Sequence, residues 1–248
     1  IQTGGDVQAV SNAGLVKVII NSYGVNKILS ATGFSSSFST IDVVWYIQND
    51  AVIGLSSDML FLGKSLSDPT NIELIVNGTL NCNTRTVYSL VGTGTFTLSP
   101  GGTLGIGSSS GIAASGSSGN IQMTNRNFST QANYVYNGTS NQATGSGLPA
   151  TVNSLTINNS NTVSLTNNVI ITAWHEIDKG TFNLGTKNVT LHSDANGTAN
   201  FNVLGAGAKI TYGTGRYIVE RYINTGTEAG QHGKAWQLLS TPANGGTV

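Results

Sequence analysis

Residues 129–168 read STQANYVYNGTSNQATGSGLPATVNSLTINNSNTVSLTNN and contain no charged residue. Leu155-x-Ile157 and Val163-x-Leu165 lie in this stretch, each a pair of apolar residues two apart, with a polar Asn/Ser turn between them. Successive side chains of a strand point to opposite faces, so each pair gives its strand one apolar and one polar face. The stretch predicts short strands that bury one side.

The same two-strand pattern recurs outward in both directions. Leu74-x-Val76 is followed by Leu80-x-Cys82, Phe96-x-Leu98 by Leu104-x-Ile106, Phe182-x-Leu184 by Val189-x-Leu191, and Phe201-x-Val203 by Ile210-x-Tyr212. Adjacent copies lie 22 residues apart from Leu74 to Phe96, 27 from Leu155 to Phe182 and 19 from Phe182 to Phe201. The 59 residues from Phe96 to Leu155 leave room for two further copies, with strands at 121–123 and 134–136. A unit of this size cannot enclose its own core and must bury its apolar face on its neighbours. The expected fold class is all-β, a right-handed parallel β-helix or β-solenoid over residues 71–212. A β-sandwich, whose strands also alternate, is the competing architecture, but it needs no similarity between copies. Asn77, Gly101, Asn137, Asn158 and Asn167 are expected at the corners, because Gly and Asn tolerate left-handed backbone.

Residues 1–70 are less regular. Runs at 16–20, 41–47, 51–55 and 59–62 are rich in β-branched and aromatic residues and separated by Gly, Ser and Asn clusters, which predicts strands of an N-terminal cap or of the first coils. Residues 213–248 bring Arg216, Glu220, Arg221, Glu228 and Lys234 together with Tyr217, Tyr222 and Trp236. Strands are expected at 217–223 and 235–239, forming a C-terminal cap or the opening of a further domain.

Composition limits the functional classes. Gly, Ser, Thr and Asn supply 116 of 248 residues, and charged residues only 9%, against about a quarter in an average globular chain. With zero net charge and 38% hydrophobic residues, the chain lacks the composition of a disordered one. Neutrality leaves no electrostatic footprint for nucleic acid or an anionic membrane, and no run has the length of a membrane-spanning helix. Cys82, the single cysteine, sits at an apolar strand position and reads as a buried free thiol. No signal-peptide pattern opens the sequence, so a secreted form would have lost it or would carry it outside these residues.

β-Helices include enzymes that cleave polysaccharides, and such chemistry needs carboxylates converging on a groove. No Asp or Glu lies between Glu73 and Glu176, and only Arg85 and Arg126 are charged there. The one cluster with acid/base potential is His175, Glu176 and Asp178, since Glu176 and Asp178 would share a strand face about 7 Å apart. A solvated strand face beside Lys179 is the competing reading. His192 and Asp194 are weighed as metal ligands, because the Asp-Ala-Asn-Gly that begins at Asp194 faintly echoes a calcium loop, against a plain turn. Trp45, Tyr134, Tyr136, Trp174 and Trp236 are weighed as sugar-stacking platforms against core packing. Sequons at Asn77, Asn127, Asn137, Asn158, Asn188 and Asn196 follow from composition alone. No catalytic, metal or cofactor-binding residue is assigned, and no cofactor is expected.

The wording of ANYVYNGTSNQATGSGLPATVNSLTINNSNTVSLTNN, preceded by GTGTFTLSPGGTLGIGSSSGI and followed by GTFNLGTKNVTLHSDANGTANF and GRYIVERYI…GKAWQLLSTP, resembles the long repetitive surface proteins of Bacteroidetes-type bacteria. Those proteins are exported by the type IX secretion system and carry a C-terminal sorting domain. The resemblance spans about residues 72–242. It implies a secreted or cell-surface β-helical stalk, adhesin or filament component. The scarcity of acids makes a non-enzymatic role the expectation, and the expected partner is a second copy of itself, pairing on an uncovered end rung, or a surface polysaccharide. A carbohydrate-active β-helix or carbohydrate-binding module is the alternative. Two features depart from the resemblance: AWHEIDK at 173–179 replaces a plain Thr/Leu strand, and no sorting domain lies within these 248 residues.

Overall fold

The computed structural model describes residues 7–12, 15–20, 27–29, 34–35, 42–62, 72–91 and 93–223. Every regular element among them is a β-strand. The runs expected as strands in the first seventy residues are Leu15–Ile20, Asp42–Ile47, Val52–Leu55 and Met59–Leu62. The strand expected at 235–239 lies outside the described residues.

Three sheets, of six, four and twelve strands, are built by a chain that visits them in rotation. Asp42–Ile47 joins the six-stranded sheet, Val52–Leu55 the twelve-stranded and Met59–Leu62 the four-stranded one; Ile72–Val76, Thr79–Asn81 and Val87–Val91 follow in the same order, then Gly94–Leu98, Thr103–Ile106 and Ile121–Gln122. Each strand pairs in parallel with the one laid down a cycle earlier. The exception is Val7–Asn12, antiparallel to Leu15–Ile20. A sandwich of antiparallel hairpins does not have this pairing. Asp42–Ile47 also pairs in parallel with Ile72–Val76. Beyond Ala143, among the described residues, the twelve-stranded sheet continues alone, with Thr151–Ser164 and Val169–Asn183 paired along most of their length. Val189–Leu191, Asn200–Leu204 and Lys209–Thr211 lie against the far edge of Val169–Asn183.

Register turns the alternating pattern into columns. Ile53, Leu80, Leu104, Tyr134, Leu155, His175 and Phe201 lie one on the next. Trp45, Leu74 and Phe96 form a second column, and Gln142, Val163, Phe182 and Ile210 a third. The apolar members from Ile53 to Phe182 in these columns are fully buried, apart from the half-buried Trp45, and each such side chain contributes about 1.5–3 kcal/mol through burial.

The five sequence copies do not stack in their written order. Phe96 lies on Leu74 as expected, but Phe182 lies on Val163 rather than Leu155, and Phe201 lies on His175. All three sheets use the same period-2 pattern, so the pattern alone does not assign a strand to a sheet. Corner lengths make that assignment. The stretch between Leu104 and Leu155 holds one further rung, at Tyr134, instead of two. A strandless loop from Gly107 to Asn120 takes up the remaining length. Its brace is Asn120, whose Oδ1 accepts from the amides of Gly107 and Ser108 at 3.0 and 2.9 Å while Nδ2 donates to the Asn83 and Arg85 carbonyls. The Arg126 guanidinium donates to the carbonyls of Met123, Ala113 and Gly116.

The corners also differ from expectation. Gly101 is left-handed, with φ +78°, but Asn77, Asn137, Asn158 and Asn167 are not. Asn83 is left-handed instead, with φ 51°, and elsewhere asparagine and glutamine act through their side chains: Gln142 Nε2 donates to the Ile106 and Ser108 carbonyls, and Asn159 Nδ2 to that of Ser140. At Gly78 the requirement is space, since a Cβ would lie 2.1 Å from the Gln48 carbonyl oxygen.

Candidate functional site

Strand Val169–Asn183 carries the sequence 173–179 that breaks the plain pattern, and its alternation divides the expected cluster between two faces. His175 is 0% exposed and points inward. Its Nδ1 lies 2.7 Å from the Leu155 carbonyl oxygen, so that nitrogen donates, and Nε2 accepts from the Tyr217 hydroxyl at 2.7 Å. The rings of Phe182 and Phe201 stand edge-on to it at 5.5 and 5.2 Å. Burial holds its pKa down to about 4, the Leu155 hydrogen bond opposing only in part, so the imidazole is neutral near pH 7. His175 does not converge with Glu176 and Asp178. It replaces an aliphatic side chain in a core column and satisfies both nitrogens there.

Trp174, Glu176 and Asp178 occupy the outer face of the strand. Partial burial pushes the Glu176 carboxyl up, helped by the charge of Asp178 and a hydrogen bond to it. Trp174 is 50% exposed and has no ring partner among the described residues. Ser154 and Asn200 lie opposite it on the neighbouring strands, and Thr156 lies opposite Glu176. The face combines a flat apolar ring with a carboxyl pair and uncharged hydrogen-bonding groups.

The other aromatic candidates are placed differently. Tyr134 and Tyr136 are buried and donate their hydroxyls to the Ser129 and Thr144 carbonyls at 2.7 and 2.6 Å. Trp45 is half-buried, edge-on to Phe61 at 5.9 Å, and Trp236 lies outside the described residues. Cys82 is buried and burial pushes its thiol far up, away from the reactive thiolate.

Asp194 forms the turn that was weighed against a metal loop. Its Oδ1 accepts from the Asn196 and Gly197 amides at 2.8 and 3.1 Å. The sequence reading missed Glu220, whose Oε2 lies 2.5 Å from His192 Nδ1 and also accepts from the Ser193 amide at 3.1 Å. Asp194 Oδ2 approaches His192 Nε2 at 3.5 Å. The Glu220 hydrogen bond pushes the His192 pKa up. Backbone hydrogen bonds, from Asn196 to Asp194 and from Ser193 to Glu220, are the largest influences holding those carboxyls down. Its only prior signal was the run of charges after residue 211, because the partner strand lies a full circuit away. No grouping of three or more His, Cys, Asp or Glu side chains suited to a metal ion occurs among the described residues. The cluster ties strand Tyr217–Val219 to its neighbour Val189–Leu191, with which it pairs in parallel.

No protein-family model matches the chain, and neither a curated protein nor a solved structure matches it.

Proposed function

We propose that this chain is a right-handed parallel β-helix, a β-solenoid, and that it serves as a non-enzymatic stalk, adhesin or filament component displayed outside a bacterial cell. The observation that carries the proposal is parallel register from rung to rung, which keeps Ile53, Leu80, Leu104, Tyr134 and Leu155 in one column. Such a stack separates its two ends by about 4.8 Å per rung, which suits a spacer. Its outer ladders are mostly uncharged and bonded to each other, as where Asn133 Nδ2 donates to Thr103 Oγ1 and Ser154 Oγ donates to Asn133 Oδ1. A non-catalytic role is supported by the absence of Asp and Glu between Glu73 and Glu176 and by the inward turn of His175. Export by the type IX route and display at the surface rest on the sequence resemblance. The proposed partners are a second copy, stacking end to end, or surface polysaccharide.

Negative-stain electron microscopy of the purified 248-residue chain tests this reading. Slender rods or end-to-end fibres are expected. Compact particles, or hydrolysis of polysaccharide by the chain, would overturn it.

A further inference from the structure

We propose that Trp174, Glu176 and Asp178, on the outer face of strand Val169–Asn183, form a binding site for a neutral polysaccharide. From Val44 to Val169, among the described side chains, Leu90 is the one large apolar group that is exposed; Ile170 and Trp174 both stand on this strand, and Leu204, Tyr212, Ile218, Tyr222 and Ile223 follow it. Residues two apart on a regular strand lie about 7 Å from each other, the scale of a sugar ring, which spaces Trp174 and Glu176; Asp178 extends the row at the register shift that follows Ile177. A hexose ring has an apolar C–H face and a rim of hydroxyls. The Trp174 ring offers a flat surface for the first, and the carboxyl pair accepts hydrogen bonds from neighbouring hydroxyls on the second. Asn200 beside Trp174 and Thr156 beside Glu176 add uncharged donors and acceptors. Lys179 follows Asp178 and is exposed, so it offsets part of the negative charge that Glu176 and Asp178 bring to the row. A buried aromatic would not serve, which sets Trp174 apart from Tyr134 and Tyr136.

The site deepens the polysaccharide half of the proposed role and rests on the chain being displayed where such polymers occur. Affinity electrophoresis of the whole chain through gels containing starch, mixed-linkage β-glucan, xylan or galactomannan tests it, with hyaluronate and chitosan as charged comparators. Retardation by at least one neutral polymer is expected. Trp174→Ala should weaken it about tenfold or more, and the double variant Glu176→Gln/Asp178→Asn should weaken it several-fold, with circular dichroism unchanged because all three side chains are at the surface. Unretarded migration in every neutral gel, retardation by the charged polymers alone, or retardation that survives Trp174→Ala would overturn the site. Electron microscopy of the same sample shows separately whether the rod reading holds, so the two proposals fail independently.

Discussion

The rungs between residues 72 and 168 and those between 169 and 223 share an interior but not an exterior. In the first region the columns are filled by Leu, Ile, Phe, Val and Tyr apart from Gln142, and the outer face carries mainly Thr, Asn, Ser and Gly in hydrogen-bonded ladders, with Glu73 bonded to Thr97. In the second, a histidine enters the column, an indole and two carboxyls stand outside it, and a His–Glu contact ties strand Tyr217–Val219 to its neighbour. Parallel stacking constrains only the inward side chain at every second position. The outer positions are less constrained, and the departures from the plain pattern gather there in the second region.

The largest effect should come from the shared interior. Phe182→Ala, in the third column, should cost about 3–5 kcal/mol, and Leu155→Ala about 2–5 kcal/mol, both read from urea denaturation midpoints. A loss below about 1 kcal/mol at either position would break the claim that both regions depend on one core.

His175 sharpens the contrast. Its folded pKa of about 4 lies below the ordinary value near 6.5, so protonation favours the unfolded chain. Stability should be intact above pH 6.5 and should fall as pH drops toward 4, by roughly 3 kcal/mol at the acid end. His175→Phe should flatten that slope, and a slope unchanged by the substitution would show that His175 is not held neutral.

Arg126→Met should cost about 2 kcal/mol, because three backbone carbonyls lose a charged donor while the alkyl stem is retained. Faster hydrogen exchange should be confined to the 107–120 loop; uniform acceleration would contradict a local brace.

The smallest effect concerns His192, whose pKa is raised by Glu220. Its contribution is present below pH 6.5 and lost as pH rises through the raised value, opposite in sign to that of His175. Surface exposure keeps the effect small. His192→Ala should remove a shallow alkaline-side decline in the denaturation midpoint, and an unaltered decline would assign it elsewhere.

Much of the fold was legible because burial on one face of a strand writes a period of two into the sequence. Leu74, Phe96, Leu104 and Leu155 announced themselves as core in this way, and the class of the fold followed. The stacking order was hidden, since Phe182 and Leu155 carry the same local pattern in different columns and only the corner lengths distinguish them. His175 was hidden for a related reason. A polar letter in an apolar column reads as a surface residue until Leu155 and Tyr217 are seen to satisfy it. At the candidate site, the shared face of Glu176 and Asp178 was readable from their spacing, whereas the exposure of Trp174 was not, because an aromatic on a strand looks the same inward or outward. The His192–Glu220 contact spans 28 residues and needed the parallel register of neighbouring strands to bring it together.

Rung-on-rung stacking is tested most directly by distances between paired nitroxide labels in a Cys82→Ala background. Thr79, Thr103, Asn133, Ser154, Trp174 and Asn200 follow one another in register along the outer face. With one label fixed at Thr79, moving the second from Asn133 to Trp174 to Asn200 should lengthen the separation by about 5 Å for each rung crossed. Separations that stay level or shorten along that series would contradict a continuous parallel stack.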